Sequence, residues 1–491
     1  MMTSGLLWLT PLLPLAVGLA MLLVRDRRVL TALDLAGSLT VLGLTLAIAG
    51  RVVRGGPVSA LGVFRADHLT VLFLLLIGLL AVAVSVATVG WMRQELARGQ
   101  MRAERLRYYY ALVHGFIATM LVTVLADNLG ILWIAMEGTT ITSALLVGFH
   151  GDKHGLEAAW KYIIVTTIGI SFGLFGTVLV YGAAAHAQGG VLAGAMNWSS
   201  IVAIAPRLDP GIIRIGFIFV MVGYGTKAGL APVHMWLPDA HSQAPTPVSA
   251  LLSGALIKCA LFGIIRFHTI ARAACGPQFS QGLLLTFGLV SVVVATPFIL
   301  AQYDLKRLLG YSSVEHVGII ALGLGFGGRL GTYGALLHVI NHGVTKALVF
   351  LVAGDAIGRY GTRDMRVIRG LLGIAPMAGT FLLMGVFALA GTPPFSIFIS
   401  ELMVIRAGIA AGRYVILAVF LCMVVTIFAG FIHRVGQMVF GTADASVGRE
   451  PEARLPMLGL LLLVAAMLLL GVYLPAGLDR VLAHATEIIV G

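Results

Sequence analysis

Apolar stretches of roughly 20 residues, each about as long as a helix that crosses a bilayer core, recur from one end of this sequence to the other. That recurrence leaves little choice of fold. Only 11% of the residues are charged and 59% are hydrophobic, against about 25% charged in an ordinary soluble domain. A water-soluble chain of 491 residues could not clothe its surface with so few charges. The sequence therefore predicts an all-α membrane protein of about fourteen transmembrane helices. The opening stretch, "MMTSGLLWLTPLLPLAVGLAMLLV", lacks the basic segment of a secretory signal and is long enough to span, so it reads as a retained first helix.

The key expected spans are the fifth over 128–149, the seventh over 212–229, the eighth over 247–267, the tenth over 308–327 and the eleventh over 332–356. The twelfth covers 374–408 and is interrupted. The longest connection, 183–211, has room for an interfacial helix. Arginine and lysine concentrate in the loops after odd-numbered spans, and the positive-inside bias places those loops in the cytoplasm and both termini outside. The formal charge of +12 is thus a matter of membrane topology and gives no support to nucleic-acid binding. Cys259, Cys275 and Cys422 show no paired spacing, so neither an iron–sulfur cluster, a zinc site nor a disulfide framework is supported. No cofactor or metal is expected, and the chain is read as carrying no redox centre of its own.

Two spans are broken by proline. The seventh ends in "AGLAPVHMWLPDAH" and the twelfth carries "AGTPPFSIFISEL". Proline removes a backbone donor and clashes with the preceding turn, and such breaks survive in a bilayer only inside protein or beside a watery cavity. The two breaks lie five spans apart, at matching places in spans 4–8 and 9–13. A repeat of an odd number of spans must be inverted, and paired discontinuous helices mark transport paths. The expected organisation is a three-helix segment over 1–107, a first five-helix repeat over 108–267, a second, inverted one over 281–440 and a C-terminal helix within 441–491.

The charges inside the spans point the same way. Three of the six lysines, Lys227, Lys258 and Lys346, fall within apolar spans, whereas the 27 arginines stay outside span centres, Arg266 and Arg406 lying near span ends. Arginine keeps its charge in any protein setting, while a buried lysine can lose its proton. Glu137 stands alone in the fifth span and Glu401 follows the second break. A carboxylate and a lysine on neighbouring helices form a pair with coupled charge, and opening or closing that pair is a workable proton switch. His338, His342 and Lys346 are spaced i, i+4 and i+8, one stripe of a helix, and His316 sits in the tenth span. Histidine can relay protons near neutral pH. His114 reads as structural, and Glu157, Lys161, Asp304, Lys306 and Arg307 as interfacial.

Six collinear blocks, "DNLGILWIAMEGTT", "EAAWKYIIV", "KAGLAPVHMWLPDAHSQAPTPVSALLSG", "DLKRLLGYSSVEHVGII", "HVINHGVTKALVF" and "AGTPPFSIFISEL", resemble the antiporter-like membrane subunits of respiratory complex I, of membrane-bound hydrogenases and of Mrp sodium/proton antiporters. The likeness runs over about residues 68–440 and is nearest to the hydrogenase-4 component F branch. It implies fourteen helices with two inverted five-helix repeats. It also implies that Glu137 and Lys227 are the family's glutamate–lysine pair, that Lys258 is the central connecting residue and Glu401 the proton-exit residue, with His316, His338, His342 and Lys346 along the hydrophilic axis. Two of the three complex I branches usually carry lysine where Glu401 stands, so Glu401 points to the third branch and to component F. The absence of a long lateral helix after the last span argues against the branch that has one. The implied partners are other membrane subunits and a peripheral redox module in the cell inner membrane, and the implied task is proton, or sodium, translocation. An Mrp-type antiporter without a redox partner, a non-pumping anchor and a solute or inorganic-carbon carrier are the competing readings.

Overall fold

The sparse aspartates of the loops, and one asparagine, explain where several helices begin. In the computed structural model, which describes residues 2–190, 194–443 and 454–491, the side chains of Asp26, Asp67, Asn128, Asp152, Asp209 and Asp304 accept hydrogen bonds from first-turn amides. Each satisfies donors that a helix start leaves unpaired.

The chain runs through α1 (Met2–Met21) and α2 (Arg27–Gly55), then a small antiparallel hairpin, β1 (Val58–Ala60) and β2 (Phe64–Ala66), with Val58 opposite Ala66. Next come α3 (His68–Ala97), α4 (Leu106–Leu125), α5 (Leu129–Val147), α6 (Lys153–Ala187) and the short α7 (Trp198–Ile204). The first broken segment is α8 (Pro210–Ala228) followed by α9 (Trp236–Gln243). Then α10 (Thr246–Leu251) and α11 (Ile257–Cys275) are joined by a π-helical turn over Leu252–Leu256 into one rod. After α12 (Pro277–Ala301), α13 (Leu305–Phe326) and α14 (Gly328–Tyr360) comes the one-turn α15 (Leu371–Ile374). The second broken segment is α16 (Pro376–Leu389) and α17 (Ser396–Ala410), and the chain closes with α18 (Tyr414–Phe440), α19 (Arg454–Val472) and α20 (Ala476–Val490).

Among the described residues, thirteen helices are long and apolar enough to cross a membrane. The interrupted α16–α17 segment lies at the place of the expected twelfth span, with Pro376–Leu389 a shorter apolar helix. The helix α7 occupies the long connection where an interfacial helix was expected. The α20 helix and the β1–β2 hairpin were not foreseen.

Burial sorts the helices into an inner and an outer set. The rod over Thr246–Cys275, with α13 and α14, is buried along its apolar length. The outer helices turn Leu19, Ile134, Trp160, Ile168, Val425 and Leu458 outward, as a lipid-facing surface requires. Two expectations are corrected here. Arg266 was placed near a span end, but the eighth span continues to Cys275 and Arg266 lies buried within it. Its guanidinium makes two hydrogen bonds with Asp67, at 2.8 and 2.9 Å, and lies 4.0 Å from the centre of the Trp198 ring. Burial alone would push the Asp67 carboxyl up; the Arg266 charge and the Thr70 amide outweigh it and hold the group below the usual carboxylate range. Lys306, expected at the interface, is also buried and donates to the Ala244 carbonyl.

Candidate functional site

The break after α8 forms where Gly229 takes a left-handed conformation, φ +81°, which glycine adopts without a Cβ penalty. The carbonyls that the break strands are met from within the protein: Trp236 Nε1 donates to the Thr226 carbonyl at 2.8 Å. Lys227 therefore sits in the last turn of α8, where the unpaired carbonyl ends carry partial negative charge and favour a cation. Its amine is fully buried and donates to Thr140 Oγ1 at 2.8 Å and to the Tyr162 hydroxyl at 2.6 Å.

Glu137 does not touch that amine. Thr140 Oγ1 donates to Glu137 Oε2 at 3.2 Å and Thr167 Oγ1 to Oε1 at 2.9 Å. The carboxylate and the lysine, expected to form a coupled pair, are joined through a single hydroxyl, from Lys227 to Thr140 to Glu137. A hydroxyl both accepts and donates, so it can join two groups whose helices, α8 and α5, hold them apart. The Tyr162 hydroxyl lies 2.7 Å from Ser143 Oγ, which continues the polar seam along α5 and α6.

A second buried cluster lies on α11, α13, α14 and α17. Lys258 follows the π-helical turn and donates to the Ser253 carbonyl within it. Such turns shift the hydrogen-bond ladder and recur at functional sites. Ser253 Oγ lies 2.8 Å from Ser313 Oγ of α13. Lys346 of α14 donates to the Leu309 carbonyl at 2.7 Å and to Ser312 Oγ. The stripe foreseen on the eleventh span is present: His338, His342 and Lys346 are all fully buried. His316 joins it from α13, stacked 4.6 Å from His342 and with Nδ1 3.0 Å from His338 Nε2.

The hydroxyl of Ser400 fixes the direction of that histidine pair. It donates to the Ile397 carbonyl at 2.8 Å, so His338 Nδ1, 2.9 Å away, donates to it. In a neutral ring the Nε2 of His338 then accepts from His316 Nδ1. Ligating atoms of His316, His338 and Glu401 lie within 4.8 Å of one another, but the lone pair a metal would need at His338 is already engaged by His316. The cluster suits proton relay better than ion binding. Glu401 is buried beside Gly391 at the second break.

All eight sequence-identified residues therefore fall in two polar clusters: half-buried Glu137 with buried Lys227, and the buried Lys258, Lys346, His316, His338 and His342 with Glu401. Among the described residues no hydrogen bond joins Lys227 to Lys258. The chain matches the family described as "NADH:quinone oxidoreductase/Mrp antiporter, TM" over residues 126–432, a range that contains both clusters. The chain belongs to this family. It is an antiporter-like membrane subunit of the hydrogenase and complex I type.

Relatives and solved structures agree with that. A hydrogenase-4 component F homolog of Methylacidiphilum infernorum is 35% identical over 87% of this chain and 88% of its own length. The hydrogenase-4 component B of Escherichia coli is 32% identical over 69% of this antiporter-like chain and 49% of its own. In fold, the chain is similar to one in an archaeal membrane-bound sulfane sulfur reductase (TM-score 0.86, 24% identity, 99% of this chain and 97% of that one). It is likewise similar to a chain in the Mrp complex of Dietzia sp. (TM-score 0.85, 20% identity, both chains covered in full).

Sequence reasoning missed several groups in this antiporter-like protein. Glu315 is buried with Oε2 unpartnered. His241 is buried with both ring nitrogens unpartnered and stacks 4.9 Å from Phe350, a ring that also lies 5.9 Å from the Lys346 amine. A cavity of about 460 Å³ touches Glu95, His150, Ser242 and Lys306 at that end of the molecule. Asp34, inside the second span, lies 3.0 Å from His114 Nε2 and accepts from Ser85 at 2.5 Å. Each of these was visible as a charged or imidazole side chain in or beside an apolar run.

Proposed function

We propose that this chain carries protons through the inner membrane as part of a hydrogenase- or complex-I-type complex, whose other subunits bind the redox centres and perform the electron chemistry. The observation that carries the reading is the Lys227–Thr140–Glu137 bridge, a buried amine and a carboxylate joined by one hydroxyl inside the bundle. Charged groups at membrane depth are costly and are kept where they serve a path. A purely structural anchor gains nothing from four buried lysines, Lys227, Lys258, Lys306 and Lys346.

In this reading the Glu137/Lys227 unit takes up and releases a proton as the bridge tightens or loosens. Lys258 passes charge toward α13 and α14, the His316–His338 pair relays it, and Glu401 delivers it at the second break. Helices α4–α11 and α12–α18 act as two inverted halves, each with one broken helix, and both termini lie outside the cytoplasm. The Mrp-type reading ranks second on one observation. A sodium/proton antiporter component of Alkalihalophilus pseudofirmus is 32% identical, but this chain spans only 42% of its length, against 88% of the component F homolog.

The test is the Lys227→Ala variant in the intact complex, sealed in membrane vesicles. Expected is assembly with all partner subunits and a loss of redox-driven proton uptake of about tenfold or more. Unchanged uptake would remove Lys227 from the path.

A further inference from the structure

Lys346 is held on α13 in the way Lys227 is held on α5. Lys227 donates to the Thr140 hydroxyl, and Glu137 lies three residues before Thr140 on the same helix. Lys346 donates to the Ser312 hydroxyl, and Glu315 lies three residues beyond Ser312 on the same helix. Residues three apart on a helix are surface neighbours, so the Glu315 carboxylate stands one turn from the amine's present partners. Glu315 is buried and its Oε2 has no hydrogen-bond partner. A buried carboxylate oxygen left unpartnered is costly and calls for an explanation.

We propose that Glu315 is a proton-carrying carboxylate partnered with Lys346, so that the molecule holds a second lysine–hydroxyl–carboxylate unit in its second half. The proposal rests on the proton-transfer reading above. The Lys346 amine is turned to Leu309 and Ser312, and Glu315 Oε2 stands without a hydrogen-bond partner. In this proposal the lysine side chain reorients from Ser312 to Glu315, one turn further along the same helix. The proton passes from the ammonium to the carboxylate, leaving a neutral amine and a carboxylic acid, and the acid returns it to the next acceptor. The next residue on α13, His316, has Nε2 unpartnered and can receive it. Charge is conserved at each step, and the transfer feeds the His316–His338 pair from the lysine side.

The experiment uses the assembled complex in vesicles, with proton uptake per redox turnover as the readout. Expected for Glu315→Gln, which keeps the shape and removes the titration, is normal assembly and redox turnover with uptake reduced about tenfold. Lys227→Ala is measured beside it. Loss in Lys227→Ala with parental uptake in Glu315→Gln overturns this proposal and leaves the general reading standing; parental uptake in both overturns the general reading. If the glutamine variant fails to assemble, Glu315→Asp decides. The titratable groups around this position are Lys346, His338 and His342 on α14, Glu401 on α17, Lys258 on α11, His241 on α9 and the adjacent His316. A shorter carboxylate among them is expected to shift the pH profile of uptake. A parental rate and profile in Glu315→Asp would overturn the proposal.

Discussion

At the scale of the residue, the deciding group is a threonine. Glu137 and Lys227 were legible in the sequence because a charge inside an apolar run is conspicuous. Thr140 and Tyr162 were not, although both lie in blocks that the sequence singles out. Hydroxyls are tolerated in membrane helices by bonding to their own backbone, and Thr166, Thr177 and Thr226 do so here. Nothing in a single sequence separates those from Thr140, which faces a lysine on another helix. Replacing Thr140 by valine keeps the shape and removes the bridge. A buried polar group that loses its partner costs about 1–3 kcal/mol, here borne by the Lys227 amine. Expected is a fall in proton uptake of about tenfold for Thr140→Val with near-parental uptake for Thr140→Ser, measured in vesicles. Equal uptake in the two variants would show that the hydroxyl carries no proton traffic.

The element scale is where proline spoke most clearly. Both broken helices were placed from "AGLAPVHMWLPDAH" and "AGTPPFSIFISEL" because proline cannot continue the hydrogen-bond ladder. The π-helical turn ahead of Lys258 was invisible, since "LLSGALIK" reads as ordinary helix; in the fold the turn packs against α14 and α3. The α20 helix was missed because its fifteen residues fall short of a bilayer crossing, and its apolar face meets α3 and α14 instead of lipid. Gly391 gives this scale its test. It has φ +64°, and a Cβ there would stand 2.1 Å from Glu401 Oε2. A left-handed conformation costs an alanine about 1–2 kcal/mol, and the carboxylate must also move. Gly391→Ala is therefore expected to lower the thermal midpoint of the purified complex and to slow proton uptake, read by calorimetry and by vesicle assay. A parental midpoint and rate would mean that the second break does not position Glu401.

For the whole molecule, composition dictated a helical membrane protein, and the family match carries that to an antiporter-like subunit. What composition withheld was the order of layers. Apolar runs facing lipid and apolar runs facing protein look alike, because lipid tails are as apolar as leucine. The burial of α10, α11, α13 and α14 in the middle, and with it the depth of Arg266 and Lys306, emerged only from the packing. Lys258 stands buried on that central rod, and in the proposed path it links the Lys227 unit to the histidines. The most direct measurement is proton uptake per redox turnover in vesicles holding the intact complex with Lys258→Met, a substitution of similar length without charge. Expected is an assembled complex that still turns over its electron donor while uptake per turnover falls about tenfold; an unaltered ratio would contradict transport through the buried lysines.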